Sequence, residues 1–172
     1  YLGGEDGGLV EIIRDYKDGL ILFINRYINN INIAEELAED VFFRLAVKKP
    51  RYEPRYAFKT WLYTIGRNRA VTELKRVKRI SGDTDEQEKI SVDELERSYF
   101  REERKIILHK ALAKINPEYG RALYLKYFGE MDNDQISRVM KKSKRQVENL
   151  LYQAKISLRT QLEKEGFHYE EL

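Results

Sequence analysis

The chain has 172 residues, which is enough for one domain or for two small domains. With 42% hydrophobic and 35% charged residues, it is too apolar for intrinsic disorder and charged enough for a helical protein with a large hydrated surface. The absence of cysteine excludes disulfides and thiolate zinc sites, and it fits the reducing cytoplasm, where we expect the protein to act. The 2 histidines cannot supply a histidine-rich metal centre, and we expect the protein to act without a cofactor or metal. Only 3 prolines and 10 glycines argue against a β-sandwich or barrel, so we predict an all-α fold.

The first part of the chain predicts three helices. Residues 1–8 contain four glycines and are expected to form a flexible end. Apolar residues then recur with a helical period from position 9 to position 31. A second helix is predicted over 33–48, a proline-containing loop over 49–56, and a third helix over 57–79. The apolar positions expected to be buried in the second and third helices are Ala34, Leu37, Ala38, Val41, Leu45, Phe58, Trp61, Leu62 and Ile65.

Charge is distributed in blocks, although the net charge of the whole chain is only +3. Residues 48–79 carry 11 basic and 2 acidic side chains, a pattern that favours binding to a polyanion such as nucleic acid. Residues 80–96 carry 1 basic and 7 acidic side chains and almost no large apolar residue. We therefore predict a linker there, between two small helical domains.

Cations and aromatic rings alternate in RYEPRYAFKTW, residues 51–61. Exposed rings can stack on unpaired bases while cations follow the backbone, so this segment predicts contact with opened, single-stranded nucleic acid. Phe58, Trp61 and Leu62 are expected to be core residues because they lie on the buried side of the helix. The expected exposed contacts are Tyr52, Tyr56, Lys59 and Tyr63.

The second part of the chain predicts a helix-turn-helix. A helix is expected over 95–115, and Asn116 followed by Pro117 marks the start of another that ends near Gly129. Two capping boxes, Asp132 with Gln135 and Ser143 with Gln146, then bracket a short helix, a tight turn and a longer helix. In this motif the second helix enters the major groove of duplex DNA. The side chains expected to face outward there are Lys144, Arg145, Glu148, Asn149 and Tyr152.

Three segments together resemble the extracytoplasmic-function, or group four, sigma factors of bacterial RNA polymerase. They are IAEELAEDVFFRL at 33–45, WLYTIGRN at 61–68 and the C-terminal helix-turn-helix. The resemblance covers about residues 9 to 165. It implies a region-two domain over 9–79, an acidic linker with the start of the next helix over 80–104, a region-four domain over 105–165 and a C-terminal tail over 166–172. At position 72, where the family commonly has aspartate, this chain has threonine.

The resemblance also implies three interfaces and no catalytic residue. The face expected to dock on the clamp helices of the largest polymerase subunit comprises Glu36, Glu39, Asp40, Phe43 and Arg44. The residues expected to bind and melt the minus-ten element are Arg51, Tyr52, Arg55, Tyr56, Lys59, Tyr63, Arg67, Asn68, Lys75 and Arg76. Those expected to bind the minus-thirty-five element are Lys142, Ser143, Lys144, Arg145, Glu148, Asn149, Tyr152 and Lys155. The implied partners are promoter DNA, core polymerase including the flap of its second subunit, and an anti-sigma factor.

Two other functions are compatible with parts of this pattern. A stand-alone helix-turn-helix regulator would use the same reading helix, usually as a dimer on a palindromic site. An all-helical, magnesium-dependent nucleotide pyrophosphohydrolase could place metal-binding carboxylates at Glu35, Glu36, Glu39 and Asp40. Such an enzyme needs a second pair of carboxylates on a facing helix, and residues 48–79 offer only Glu53 and Glu73.

Overall fold

The computed structural model describes residues 6–53, 57–81 and 103–167, which form seven α-helices and no strand. The prediction of an all-α fold is confirmed. The chain divides into two units, Tyr1–Val92 and Asp93–Leu172. This division falls within the segment for which the sequence predicts a linker.

The first unit contains three helices, α1 (Asp6–Ile28), α2 (Ile31–Lys48) and α3 (Phe58–Ser81). Asn30 begins α2 by accepting hydrogen bonds from the backbone N–H groups of Asn32 and Ile33 at 3.1 and 3.3 Å. Asn29 and Lys49, at either end of α2, have positive φ values of 53° and 42°. These two residues turn the chain sharply, so that α2 packs against both of its neighbours.

The core of the first unit lies between α1 and the other two helices. Leu20, Ile21, Phe23 and Ile24 of α1 have no exposed surface. At Gly66 of α3, an added Cβ would lie 2.6 Å from a methyl carbon of Leu20. Because that distance is shorter than a van der Waals contact, a larger residue at position 66 would force the buried Leu20 side chain to shift.

Several helix boundaries of the first unit differ from the sequence prediction. The start of α2 lies at Ile31 instead of position 33, and that of α3 at Phe58 instead of position 57. The first helix already begins at Asp6, so residues 6–8 of the predicted flexible end are helical. It ends at Ile28 instead of continuing to Ile31, because Asn29 and the Asn30 cap interrupt it. The third helix extends to Ser81, whose hydroxyl donates to the Val77 carbonyl.

The second unit contains four described helices, α4 (Glu103–Lys114), α5 (Pro117–Tyr127), α6 (Asn133–Met140) and α7 (Lys144–Lys164). The start of α5 is as predicted, since the Asn116 side chain accepts from the Glu118 N–H at 2.9 Å. The predicted helical residues 95–102, most of the linker and the tail beyond Phe167 lie outside the described residues.

The core of the second unit is formed where α5 packs on α4, α6 and α7. Its largest fully buried side chains include Leu112, Leu123, Tyr124 and Ile136. At Gly120 an added Cβ would lie 2.7 Å from the backbone oxygen of Leu112, so only glycine permits this approach of α5 to α4. Among the described helices of both units, none has the length and apolar character needed to cross a lipid bilayer.

Candidate nucleic-acid and partner interfaces

The outer face of α2 combines acidic and apolar side chains. Glu36 and Glu39 are exposed, and Phe43 and Val47 are 65% and 62% exposed although both are apolar. An exposed Phe43 is costly to leave in water, and it suits a surface that a protein partner covers. The predicted docking residues Glu36, Glu39 and Phe43 therefore share one accessible helix face.

Asp40 was also predicted to belong to the docking face, but its side chain points toward α3. Its Oδ2 accepts a 2.7 Å hydrogen bond from Nε of Arg69, and Nε of Arg44 lies 3.2 Å from the same oxygen. The hydrogen bond from Arg69 holds the pKa of Asp40 below its ordinary value of 3.8, despite partial burial. Asp40 is therefore less accessible than the other predicted docking residues, since its side chain is 33% exposed and paired with two arginines.

A second ion-pair cluster lies on α3 and was not predicted from the sequence. Glu73 is buried, and Oε1 lies 2.6 Å from Nη2 of Arg76. Nε of Arg76 also donates to both carboxylate oxygens, and Nη1 of Arg69 lies 3.8 Å from Oε2. These contacts, above all the bond from Arg76, lower the pKa of Glu73 and raise that of Arg76. The sequence did contain a signal for this cluster. Arg69, Glu73 and Arg76 are four and three residues apart, a spacing that brings their side chains together on one face of a helix.

Four aromatic rings gather at the start of α3. Phe58 contacts Tyr16 of α1, Tyr52 of the preceding loop and Trp61, with ring centroids 5.6, 5.7 and 5.4 Å apart. Tyr52 and Trp61 are 5.2 Å apart. All four side chains are half-buried, so the expectation that Phe58 and Trp61 are core residues is wrong. They form a partly accessible aromatic surface, whereas Leu62 is fully buried as predicted.

Tyr63 does not belong to that surface. It is only 2% exposed, and its ring stacks on Phe23 of α1 at a centroid distance of 5.2 Å. The prediction of Tyr63 as an exposed contact is therefore wrong, because α1 covers it. Lys59 is half-buried, with its Nζ 5.9 Å from the centre of the Tyr63 ring. The other two predicted residues of this segment, Arg55 and Tyr56, lie outside the described residues.

The remaining predicted minus-ten residues have mixed environments. Arg51, Asn68 and Lys75 are exposed, whereas Arg67 is half-buried. Nη1 of Arg67 donates to Oδ1 of Asn68 at 3.4 Å. Arg76 is exposed but paired with Glu73. If it contacts nucleic acid, it does so while its guanidinium group remains in this ion pair.

The C-terminal helices have the local geometry of a helix-turn-helix. Both capping boxes are present: Gln135 N donates to Asp132 at 2.8 Å, and Gln146 N donates to Ser143 at 3.1 Å. Between them, Lys141 has a left-handed conformation with φ 54° and ψ 47°, as expected for the turn position. The predicted motif is therefore confirmed in its helices, its caps and its turn.

Most of the predicted reading residues are exposed on α7. They are Lys144, Arg145, Glu148, Asn149, Tyr152 and Lys155. The two that precede this helix have other contacts. Ser143 is the helix cap, and Nζ of Lys142 lies 2.7 Å from Oε1 of Glu118 on α5. Lys142 therefore helps to hold the turn against α5 as well as contributing positive charge.

The carboxylates of α2 do not form a metal site with α3. In residues 6–53, 57–81 and 103–167, no group of three or more histidine, aspartate or glutamate side chains has the arrangement needed to hold a metal ion. Opposite Asp40, α3 presents Arg69 instead of a second carboxylate. The pyrophosphohydrolase interpretation needs a facing carboxylate pair, which this part of the chain does not supply.

Two family models match the chain, one in each unit. Residues 12–80 match sigma-70 region 2, and residues 105–158 match sigma-70 region 4. Together they span most of the sequence.

Relatives and solved structures agree with this match. SigW of Bacillus subtilis, an ECF RNA polymerase sigma factor, is 28% identical over 44% of this chain and only 40% of its own length. The RNA polymerase sigma factor YlaC of B. subtilis is 22% identical over 90% of this chain and 91% of YlaC.

Two solved structures share the fold. CnrH, in complex with the cytosolic domain of CnrY, has a TM-score of 0.65 at 15% identity, with 94% of this chain and 92% of CnrH covered. The sigma factor RpoE of Bartonella quintana, in complex with the anti-sigma factor NepR, has a TM-score of 0.66 at 16% identity, with 89% and 95% covered. The chain belongs to the extracytoplasmic-function family of sigma factors of bacterial RNA polymerase.

Proposed function

We propose that this protein directs core RNA polymerase to specific promoters and helps to open the DNA for transcription initiation. The observation that carries this proposal is the pairing of two different surfaces in one chain. The first unit has half-buried rings beside cations, and the second has a helix-turn-helix with an exposed polar reading face. A duplex reader joined to a surface for unpaired bases suits an initiation factor.

Docking on polymerase uses the outer face of α2 in this proposal. Glu36 and Glu39 provide negative charge, and the exposed Phe43 and Val47 provide apolar area for a partner with basic and apolar side chains. Burial of such a ring on binding is favourable, whereas the exposed acids chiefly select the partner and orient it.

Strand opening uses the cluster of Tyr16, Tyr52, Phe58 and Trp61. Unpairing a base costs a few kcal/mol, and stacking on an aromatic side chain returns about 1 to 3 kcal/mol per base. Capture of extruded bases can therefore offset the cost of opening. Lys59, which follows Phe58 in the chain, and the exposed Arg51 would hold the adjacent phosphates.

Recognition of the upstream element uses the first turns of α7. Arg145 and Asn149 are exposed and one turn apart, so both can reach base edges in the major groove. Arginine pairs with guanine and asparagine with adenine through two hydrogen bonds each. The nearby Lys144 and Lys155 would contact phosphates, which fixes the position of the helix without reading sequence.

An anti-sigma factor is a further proposed partner. CnrH and RpoE were each solved with a second protein, the cytosolic domain of CnrY and the anti-sigma factor NepR. An inhibitor that covers Phe43 and Val47 would remove the docking face from polymerase. In this proposal the protein acts in the cytoplasm, where polymerase and promoter DNA are found.

Sigma factors are not known as enzymes, and we assign no catalytic residue to this chain. In this proposal the protein promotes initiation by binding opened DNA more tightly than closed DNA, because only opened DNA presents unpaired bases.

In-vitro transcription with bacterial core polymerase and a library of genomic fragments tests the proposal. We expect the purified chain to form a complex with core polymerase and to start transcripts from a small set of fragments. Core polymerase alone is the control. Sequence-specific binding by the chain without polymerase, together with no transcripts, would instead support a stand-alone helix-turn-helix regulator.

A further inference from the structure

A cavity of about 220 Å³ lies between α2 and α3. It is smaller than the roughly 300 to 1,000 Å³ of a typical small-molecule pocket, so it suits a single chemical group better than a whole nucleotide. Two apolar side chains line it, the buried Val41 and the half-buried Ile65. The polar residues that line it are Arg44, Asn68, Arg69 and Thr72.

The cavity is positively charged. The two guanidinium groups that line it share one carboxylate, because Arg44 and Arg69 both pair with Oδ2 of Asp40. The next carboxylate, Glu73, lies 3.8 Å from Arg69 but makes its short contact, 2.6 Å, with Arg76. Arg44 and Arg69 together carry two positive charges, and Asp40 balances only one of them. The remaining positive charge favours an anionic ligand.

Hydrogen-bond donors at the cavity are available to such a ligand. Arg44 uses Nε toward Asp40, which leaves its two terminal nitrogens, and its side chain is 50% exposed. The side-chain oxygen of Asn68 accepts from Arg67, so the amide nitrogen of Asn68 can donate elsewhere. The hydroxyl of Thr72 donates to the Asn68 carbonyl and brings no charge to the edge of the cavity.

The cavity continues into an exposed row of side chains on α3. Asn68, Thr72, Lys75 and Arg79 follow one another at intervals of three or four residues, and all four are exposed. Two neutral hydrogen-bonding side chains followed by two cations along one helix face suit a chain of phosphates better than one carboxylate from a protein partner.

We infer that this cavity binds a backbone phosphate of the duplex DNA next to the opened region, with Arg44 and Asn68 as its donors. Arg44 then contacts DNA, although the family resemblance places it in the polymerase-docking face. The inference rests on the proposed function, since it assumes that the first unit lies on promoter DNA.

Thr72 keeps the site open to phosphate. An aspartate at this position would bring a second carboxylate to the same edge of the cavity as Arg44 and Arg69. The two cations would then be balanced by two anions inside the protein, and a phosphate would meet a repelling charge. The threonine thus decides whether the cavity binds an anion.

The test uses holoenzyme assembled from the full chain and core polymerase, on a promoter fragment selected by the transcription experiment. The apparent affinity for the closed duplex is measured at increasing potassium chloride for Arg44→Ala, Thr72→Asp and wild type. Thr160→Asp is the matched control, because Thr160 is also an exposed helical threonine whose hydroxyl donates to the carbonyl four residues earlier. It adds the same charge in the second unit.

We expect Arg44→Ala and Thr72→Asp each to weaken binding by roughly two- to fivefold at low salt. The slope of log affinity against log salt should fall by about 0.9, the value for one lost phosphate contact. Thr160→Asp should leave the slope unchanged. A methylphosphonate at the contacted position should weaken wild-type binding but have no further effect on Thr72→Asp.

Two results would overturn the inference. The first is an unchanged salt slope in both variants. The second is weaker assembly with core polymerase and no change in DNA affinity, which would mean that the cavity receives an acidic side chain of polymerase. Failure of the wild-type chain to form holoenzyme would count against the proposed function itself. This outcome is distinguished from failure of the phosphate site because no complex with core polymerase would be seen at all.

Discussion

Nε of Arg69 on α3 donates a 2.7 Å hydrogen bond to Oδ2 of Asp40 on α2. The two residues are 29 positions apart in the chain and belong to helices with different proposed partners. α2 presents the face proposed to dock on polymerase, and α3 carries most of the first-unit residues proposed to contact DNA. The ion pair therefore fixes the position of one interface relative to the other within the first unit.

Acid should destabilise the first unit through Asp40 and Glu73. Both pKa values are lowered, from ordinary values of 3.8 and 4.5, by hydrogen bonds from Arg69 and Arg76 respectively. A lowered pKa means that the stabilisation is complete above the ordinary value and is lost as the pH falls through the lower folded value. Stability should therefore decrease below about pH 4.5.

Denaturant unfolding followed by fluorescence measures this, because Trp61 is the single tryptophan and lies in the first unit. Asp40→Asn should lower stability near neutral pH and flatten the decrease in acid. Glu11→Gln, at an exposed position of α1, is the control and should follow wild type. An Asp40→Asn profile parallel to wild type would contradict the assigned pairing.

Glu36→Lys should weaken binding to core polymerase while the fold remains intact, because Glu36 is exposed. Phe43→Ala should weaken it as well, since the exposed ring loses the area that a partner would bury. The affinity for core polymerase is measured with labelled protein, with Glu11→Lys as the control for an added positive charge on α1. Undiminished holoenzyme formation by both variants would exclude this face as the docking surface.

Asp40→Lys is a poorer test of docking than the sequence suggests. A lysine at this position would lie beside Arg44 and Arg69 and would replace an ion pair with repulsion. We expect it to lower the stability of the first unit, as measured by Trp61 fluorescence during denaturant unfolding. Its effect on polymerase binding would then not be separable from its effect on folding.

Replacing Tyr56 and Lys59 with alanine should impair formation of the open complex more than closed binding. Aromatic stacking and phosphate contact by these residues would be gained only after the bases separate. Permanganate reactivity of unpaired thymines measures opening, and gel mobility at low temperature measures closed binding. Lys17→Ala, an exposed change on α1, is the control. Equal loss in both assays would argue against a role in melting.

Arg145→Ala and Asn149→Ala should each relax sequence selection at one position of the upstream element. A bidentate contact contributes about 1 to 3 kcal/mol of discrimination between bases. Transcription from promoter variants with single base changes measures this. Arg159→Ala, further along α7 and paired with Glu163, should retain wild-type selection. If both reading variants keep the full preference at every position, α7 does not read the element through these side chains.

Lys141→Gly should stabilise the second unit by up to about 1 kcal/mol. Lys141 has φ 54°, and a non-glycine residue in the left-handed region costs roughly that amount. The greater freedom of glycine in the unfolded chain reduces the gain. Thermal unfolding followed by circular dichroism measures the change, with Lys155→Gly in the middle of α7 expected to act in the opposite direction.

The sequence by itself determined the features that depend on neighbours a few positions away. The capping boxes at Asp132 and Ser143 were predictable, because each is a hydrogen bond between a side chain and the backbone three residues away. The left-handed turn at Lys141 is equally local, because its backbone N–H donates to the carbonyl of Ser137, four residues earlier. The segments matched by the two family models, residues 12–80 and 105–158, contain the motifs on which the family resemblance rests. The helices of the second unit, as far as they are described, follow the same local rules.

Only the tertiary structure decided which polar and aromatic residues are accessible. Tyr63 is covered by Phe23, which is forty positions earlier, and Asp40 is held by an arginine on another helix. Helical periodicity shows which residues share a face, but not which face the next helix covers or which arginine a carboxylate meets. Those outcomes depend on how α1, α2 and α3 pack, because burial and ion pairing between helices are set by distances in space that sequence separation does not fix.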